Sequence, residues 1–190
     1  MSGQTDVVTD TPAIAPDTRD WTWVLERRCP DCGFDPGALT REDLASRIGA
    51  AAQVWPARLA QDDARRRPLP SAWSPTEYAA HVRDVAGVMG RRLALILAED
   101  DPTFENWDQD EAAIAGAYAS ADPREVASQV SSAVGDLAAA YAAVADQEWD
   151  RPGRRSNGSV FTAYTLGVYA LHDLEHHVHD VGAGPRLPSS

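Results

Sequence analysis

The residues able to do chemistry in this chain sit in a few places. All five histidines fall on two segments: His81 alone, and His172, His176, His177 and His179 together near the C-terminus. His172 and His176 stand four residues apart, so on a helix they share one side, a turn from each other. Two imidazoles at that spacing can grip one divalent ion, as helical zinc sites do. With Leu171 at zero on a helical wheel, His172, His176 and His179 share a sector at roughly 80–140°, beside the apolar stripe. Asp173, His177 and Asp180 fall at roughly 180–240°. The first set is expected to turn toward a partner helix and the second toward water. A polar helix end or an adventitious metal tract would carry the same residues. Spacing does not link His81 to the others; only a fold that lays its helix alongside theirs can do so.

The chain has two cysteines, both in the turn Cys29-Pro30-Asp31-Cys32-Gly33. This is the shape of a zinc knuckle, in which a tight Gly turn points two thiolates at one metal. A single knuckle supplies only two ligands, so a closed four-cysteine site within one chain is excluded. Three readings stay open: a structural turn with free thiols, a reversible dithiol, or ligands completed by His or by a second subunit. The redox precedent for C-x-x-C needs a strand–helix setting, which the flanking sequence does not offer. In Arg151-Pro152-Gly153-Arg154-Arg155-Ser156-Asn157-Gly158, Arg154 and Arg155 could hold a carboxylate or phosphate by bidentate hydrogen bonds. A solvated loop that balances Asp146, Glu148 and Asp150 is the plainer reading. Of the tryptophans, Trp107 in its acidic loop is the one expected to line the mouth of a site.

The elements that must position these groups are helical. A first helix is expected from Thr40, whose Asp43 makes a variant capping box, through Leu44, Ile48 and Ala51 to about Leu59. Ser74-Pro75-Thr76-Glu77 is a strong start signal: N-cap, Pro at the first position and Glu to close the box. From it run Tyr78, Val82, Val85, Met89, Leu93 and Ile96 at spacings of three and four, one helical face. Asp122-Pro123-Arg124-Glu125 opens a third helix with the stripe Ala127, Val130, Val134, Leu137, Tyr141 and Val144. The last begins near Ser159 and carries Val160, Tyr164, Gly167, Leu171, Leu174, Val178 and Val181. Residues 99–121 read as a long connection with one short helix, suited to a crossover or a flap over one end. No run alternates like a strand, and only Trp21 to Leu25 could be a short extended piece. The expected fold is all-α, a four-helix bundle with a long connection between helices 2 and 3. Residues 1–20 and 182–190 are expected to be tails flanking one domain over 21–181.

Composition limits the partners. The chain has 190 residues, 44% apolar and 24% charged, with a net charge of −12, and all 17 of its basic residues are Arg. That charge repels phosphate backbones and anionic membranes, so neither nucleic acid nor a lipid surface is an expected partner. There is no run long enough for a transmembrane helix and no signal-peptide pattern at the N-terminus. The expected location is the cytoplasm and the expected partner a small-molecule substrate. A second copy of the chain is the one protein partner this reading admits.

Trp73-Ser74-Pro75-Thr76-Glu77-Tyr78-Ala79-Ala80-His81-Val82-Arg83-Asp84 resembles the second-helix motif of the DinB-like superfamily. His172-Asp173-Leu174-Glu175-His176-His177 resembles its last-helix motif, and the resemblance spans roughly residues 40–181. Asp20-Trp21-Thr22-Trp23-Val24-Leu25-Glu26, the Cys-Pro-x-Cys-Gly turn and Asn106-Trp107-Asp108-Gln109-Asp110 are similar to an actinobacterial subgroup. The resemblance implies a four-helix bundle with a three-His site for a divalent metal, its ligands His81, His172 and His176. A different alignment on the His176-His177 pair nominates Asp173 and His177, and His179 stands as a fourth ligand or an outer partner. Relatives include mycothiol-dependent maleylpyruvate isomerases and bacillithiol S-transferases, so the implied activity is thiol transfer or hydrolysis, with mycothiol as co-substrate. The implied metal is zinc, with nickel or iron as alternatives. Asp84 and Glu175 lie near ligands in sequence but neither is marked as a general base. The alternative function is a non-catalytic, metal-stabilised bundle for ligand binding or dimerisation.

Overall fold

In a computed structural model, which describes Ile14 and residues 19–184, four helical arms pack around one apolar core. The first arm is broken: α1 runs Arg41–Ala52 and α2 runs Trp55–Leu59. Pro56 in the first turn of α2 has no N–H to continue the ladder from α1. The other arms are α3 (Pro75–Ala98), α5 (Pro123–Ala142) and α6 (Ala163–Asp180). Their starts are capped as their sequences require. Ser74 accepts from the Glu77 N–H while Glu77 reaches back to the Ser74 N–H, and Asp122 accepts from the N–H groups of Arg124 and Glu125. Arg67 donates to both oxygens of the buried Glu77 carboxylate, which ties the preceding loop to the first turn of α3.

The arms are not laid down in simple succession. α1 packs against α5 and α6, and α3 also packs against α5 and α6, so consecutive arms α1 and α3 sit diagonally. α6 is therefore flanked by α1 on one side and α3 on the other. Gly167 permits the close approach of α6 to α1 and α5, because a Cβ there would lie 2.4 Å from Leu44 Cδ2 and 2.7 Å from Tyr141 Cε1. No described helix is long and apolar enough to cross a membrane.

The all-α expectation is incomplete. A small three-stranded sheet, β1 (Thr103–Phe104), β2 (Pro152–Arg155) and β3 (Val160–Thr162), closes one end of the bundle. β1 is parallel to β2 and β2 is antiparallel to β3, with Gly153 opposite Phe161. Its inner side chains, Phe104 and Phe161, are buried. Gly153 lets the sheet press onto α3, since a Cβ there would sit 2.6 Å from Ile96 Cγ1. These strands are too short to show alternation. They also move the start of α6 from Ser159 to Ala163, where Thr162 is the N-cap. The segment Thr22–Leu25 is a 3-10 turn, not an extended piece. The long connection after α3 holds β1, the short helix α4 (Gln109–Ala115) and a 3-10 turn at Tyr118–Ser120. The predicted tails lie largely outside the described residues.

Candidate metal centre

α6 presents two overlapping pairs at helical spacing, His172 with His176 and Asp173 with His177. The pairs are rotated by one residue, about 100°, so they cannot face the same neighbour. The expected grouping of His81 with His172 and His176 is not formed. His81 meets Asp173 and His177, and one nitrogen or oxygen from each lies within 4.8 Å of the others. The wheel placed Asp173 and His177 toward water because it locates the apolar stripe but not the neighbours on its flanks. α3 packs along that flank of α6 and brings His81 to it.

The distances in this group would suit donors around a shared ion. His81 Nε2 lies 3.4 Å from Asp173 Oδ1, and His177 Nε2 lies 3.6 Å from the same oxygen. His81 is 1% exposed. Neither of its ring nitrogens has a hydrogen-bond partner, nor does the buried Asp173 Oδ1. Burying unpaired polar atoms costs about 1–3 kcal/mol each, so such a cluster is expected only where something else satisfies it. Two ligands at about 2.0–2.1 Å from one tetrahedral ion would be separated by about 3.3–3.4 Å. Burial lowers the proton affinity of His81 below its ordinary value, with Asp173 pulling the other way. A neutral imidazole is the form that binds metal. Asp180 Oδ2 lies 2.8 Å from His177 Nδ1, an outer carboxylate that orients the ring so that Nε2 points at Asp173.

Aromatic rings enclose the group. Trp107 stacks on the His81 ring at 5.6 Å and Trp73 lies 5.2 Å from it on a tilt. Trp107 is thus where the acidic loop was expected to place it. A cavity of about 400 Å³ opens onto the group, walled by Trp21, Trp73, Tyr78 and Tyr169. An adjoining cavity of about 410 Å³ shares Trp21, Tyr169 and Asp173 with it and holds Arg92 and Arg155. Arg92 is 6% exposed and donates to the Glu105 carbonyl at 2.8 Å. Burial lowers its pKa to about 10, and the nearby Arg155 adds to the effect. Arg155 donates to Asn157 Oδ1 and Ser159 Oγ, both at 2.9 Å.

The remaining predicted residues divide. His172 and His176 face the N-terminal segment, where they meet Cys29 and Cys32, all four donors within 4.8 Å of one another. Burial pushes the His172 imidazole down to about 4, and His176 adds to the shift. Burial raises the Cys32 thiol to about 12. His179 joins neither group, although its Nδ1 is buried without a hydrogen-bond partner. Arg154 is paired with Asp101 at 2.8 Å on the surface, while Arg155 faces the cavity. Asp84 accepts from the Tyr118 hydroxyl at 2.5 Å and pairs with Arg83. Glu175 is bridged to Arg47 by two hydrogen bonds, of 3.0 and 2.7 Å. Neither carboxylate is aimed at the donors. The buried Arg92 was missed by sequence reading because it stands on α3 as one Arg of the pair Arg91-Arg92, with no signal beyond its place near the apolar face.

Residues 50–181 match the DinB superfamily. Among solved structures the fold is similar to that of YfiT from Bacillus subtilis, with a TM-score of 0.65 and 17% identity over 73% of this chain and 82% of that one. YfiT is described as a probable metal-dependent hydrolase with an unusual four-helix bundle topology. No curated protein matches the sequence significantly.

Proposed function

The chain belongs to the DinB superfamily, and from that premise we propose that it is a divalent-metal-dependent enzyme acting on a small molecule. The metal would be held by His81, Asp173 and His177. One observation carries the reading: His81 Nε2 and Asp173 Oδ1 lie 3.4 Å apart, buried and unsatisfied, at the edge of a cavity. The likeness to a probable metal-dependent hydrolase supports it. Two imidazoles and one carboxylate are a donor set that suits zinc, nickel or iron, and three protein ligands leave a coordination position open. A bound metal supplies a lowered pKa to water, toward about 7, or holds a thiol as its thiolate. Such a site would suit hydrolysis or thiol transfer, and the resemblance to mycothiol-dependent relatives makes mycothiol the proposed thiol.

The chain's own residues would do the rest. Trp21, Trp73 and Trp107 screen the donors from bulk water. Arg92 and Arg155, two cations in the adjoining cavity, would hold an anionic group of the substrate with its reacting end toward Asp173. Asp180 keeps the His177 ring in its ligating orientation.

The test is metal titration of protein stripped with a chelator, followed by assay with small esters and with thiol plus electrophile. The expected result is uptake that depends on His81, and turnover that returns with zinc, nickel or iron. Arg92→Met should raise KM for anionic substrates while leaving metal uptake unchanged. Uptake that His81→Ala leaves intact would overturn the ligand set. Full uptake without turnover of any substrate tried would favour the metal-stabilised binding bundle.

A further inference from the structure

We propose that Cys29, Cys32, His172 and His176 form a second metal site, a structural zinc clasp that fastens the N-terminal segment to α6. The four donor atoms come from two regions far apart in sequence and lie within 4.8 Å of one another. Cys29 Sγ is already 3.7 Å from His176 Nδ1. A tetrahedral zinc, with bonds of about 2.3 Å to sulfur and 2.0–2.1 Å to nitrogen, sets that edge at about 3.6 Å. Both cysteines are free thiols. Cys29 is fully buried, and the 4% exposed His172 has a buried Nε2 with no hydrogen-bond partner.

The turn that carries the thiols has the form such a site needs. The Gly33 N–H donates to the Cys29 carbonyl at 3.0 Å, and the Cys29 N–H donates to the Phe34 carbonyl at 2.8 Å. Gly33 has φ 78°, a left-handed conformation that glycine adopts without a steric cost. Both Cys side chains are thereby directed from one tight loop at the two histidines. Trp21 packs on the rings of His172 and His176 at 5.7 and 5.4 Å, and Phe34 packs on His172 at 5.4 Å. His176 turns Nδ1 to the sulfur and Nε2 to Asp180 Oδ1, 3.8 Å away.

The donor set selects the metal and the role. Two thiolates and two imidazoles in a tetrahedral arrangement suit zinc and fill its coordination, so the site is structural rather than catalytic. The two negative charges match the ion, and binding releases the two thiol protons. What the clasp would hold is also visible. The segment from Trp21 to Leu39 has only short 3-10 turns as regular structure, and it lies outside the matched residues 50–181. It nevertheless buries Val24, Phe34 and Leu39 and supplies Trp21 to the walls of both cavities.

The experiment is metal analysis of the full chain with three proteins: wild type, Cys29→Ser/Cys32→Ser, and His81→Ala. Wild type should hold about two equivalents of zinc and each variant about one. Cobalt substitution should give a thiolate-to-cobalt charge-transfer band in wild type and in His81→Ala, and none in the double serine variant. A measurement on wild type alone guards against a variant that fails to fold: the two thiols should resist alkylation in zinc and react after chelation. Thiols that react equally with and without zinc, or a wild type without the charge-transfer band, would overturn the proposal. So would quantitative formation of a Cys29–Cys32 disulfide in air in the presence of zinc. His81→Ala losing all metal while the double serine variant keeps it would overturn this site and leave the proposed function standing. The reverse pattern would leave the clasp and remove the catalytic site.

Discussion

The two donor groups on α6 begin one residue apart and end up with different characters. The Asp173/His177 pair turns to α3, gains one imidazole and stops at three donors beside a cavity. The His172/His176 pair turns to the N-terminal segment, gains two thiols and reaches four. Both pairs border the same cavity, so position alone does not separate them. Donor number and softness do: three hard-to-borderline donors leave room for a reactant, and four donors with two sulfurs leave none. One stretch of helix can thus serve two ions because a step of one residue turns the next pair to a new neighbour.

The largest expected break in this comparison is His81→Ala. It removes a donor from one group and no donor from the other. Zinc affinity at the three-donor group should fall by more than about 100-fold, beyond what loss of an outer partner produces. The cobalt–thiolate band should not change. Isothermal titration of each protein against zinc measures the first and absorption the second.

Glu77→Gln should separate the groups through the fold. Glu77 stands one turn before His81 on α3 and is held by Arg67 and by the Ser74 N–H. Burial pushes its carboxyl up, but Arg67 and Ser74 outweigh that and keep it below its ordinary value of 4.5. A carboxyl depressed in the folded state contributes stability that is present above its unfolded pKa and lost as pH falls through the folded one. The variant should be less stable than wild type by about 1.5–3 kcal/mol at pH 7, since charged hydrogen bonds are lost. The gap should close as pH drops below about 4.5. Denaturant titrations at several pH values check it; a gap constant down to acid pH would show that the pair contributes nothing.

Much of this architecture is legible in the residues themselves. The caps at Ser74 and Asp122 place α3 and α5, because their hydrogen bonds are local. The burial of Leu171, Leu174 and Val178 follows from their spacing. Pro56, which breaks the first arm, is a single residue in an apolar run, and the pairing of β1 with β2 joins Thr103 to Arg154, about 50 residues apart, so no local pattern marks either. The site was half legible. Spacing nominates His172 with His176, and only a different alignment of the family motif nominates Asp173 with His177, because a wheel carries no information about which neighbour occupies each flank. The meeting of Cys29 with His176 spans 147 residues and depends on where the N-terminal segment lies, which no local pattern encodes.

Asp180 offers a sharper test, because its carboxylate reaches a histidine of each group. Its Oδ2 lies 2.8 Å from His177 Nδ1 and its Oδ1 3.8 Å from His176 Nε2. Asp180→Asn should lower zinc affinity at the three-donor group by about 10–100-fold, the usual cost of an outer carboxylate. The four-donor group should lose less, because its contact is longer and three other ligands remain. Equal losses at both would mean that Asp180 acts through the helix end and not through either ring.

The smallest expected effect comes from Gly33→Ala, and it addresses the four-donor group alone. Gly33 follows Cys32 with φ 78°. A Cβ in the left-handed region costs about 1–2 kcal/mol, which the turn can absorb by opening or bear as strain. Either response is felt at the sulfurs, since the Gly33 N–H is what closes the loop onto the Cys29 carbonyl. If zinc holds the turn shut, the loaded variant should keep the cobalt–thiolate band and show the cost as a melting temperature a few degrees lower. If the turn is held only by its own hydrogen bonds, the variant's thiols should alkylate faster than those of wild type even in zinc. The three-donor group should be unchanged in either case, because no atom of the knuckle is among its donors. A fall in zinc affinity there would show that the N-terminal segment, through Trp21 on the shared wall, supports the three-donor group from outside.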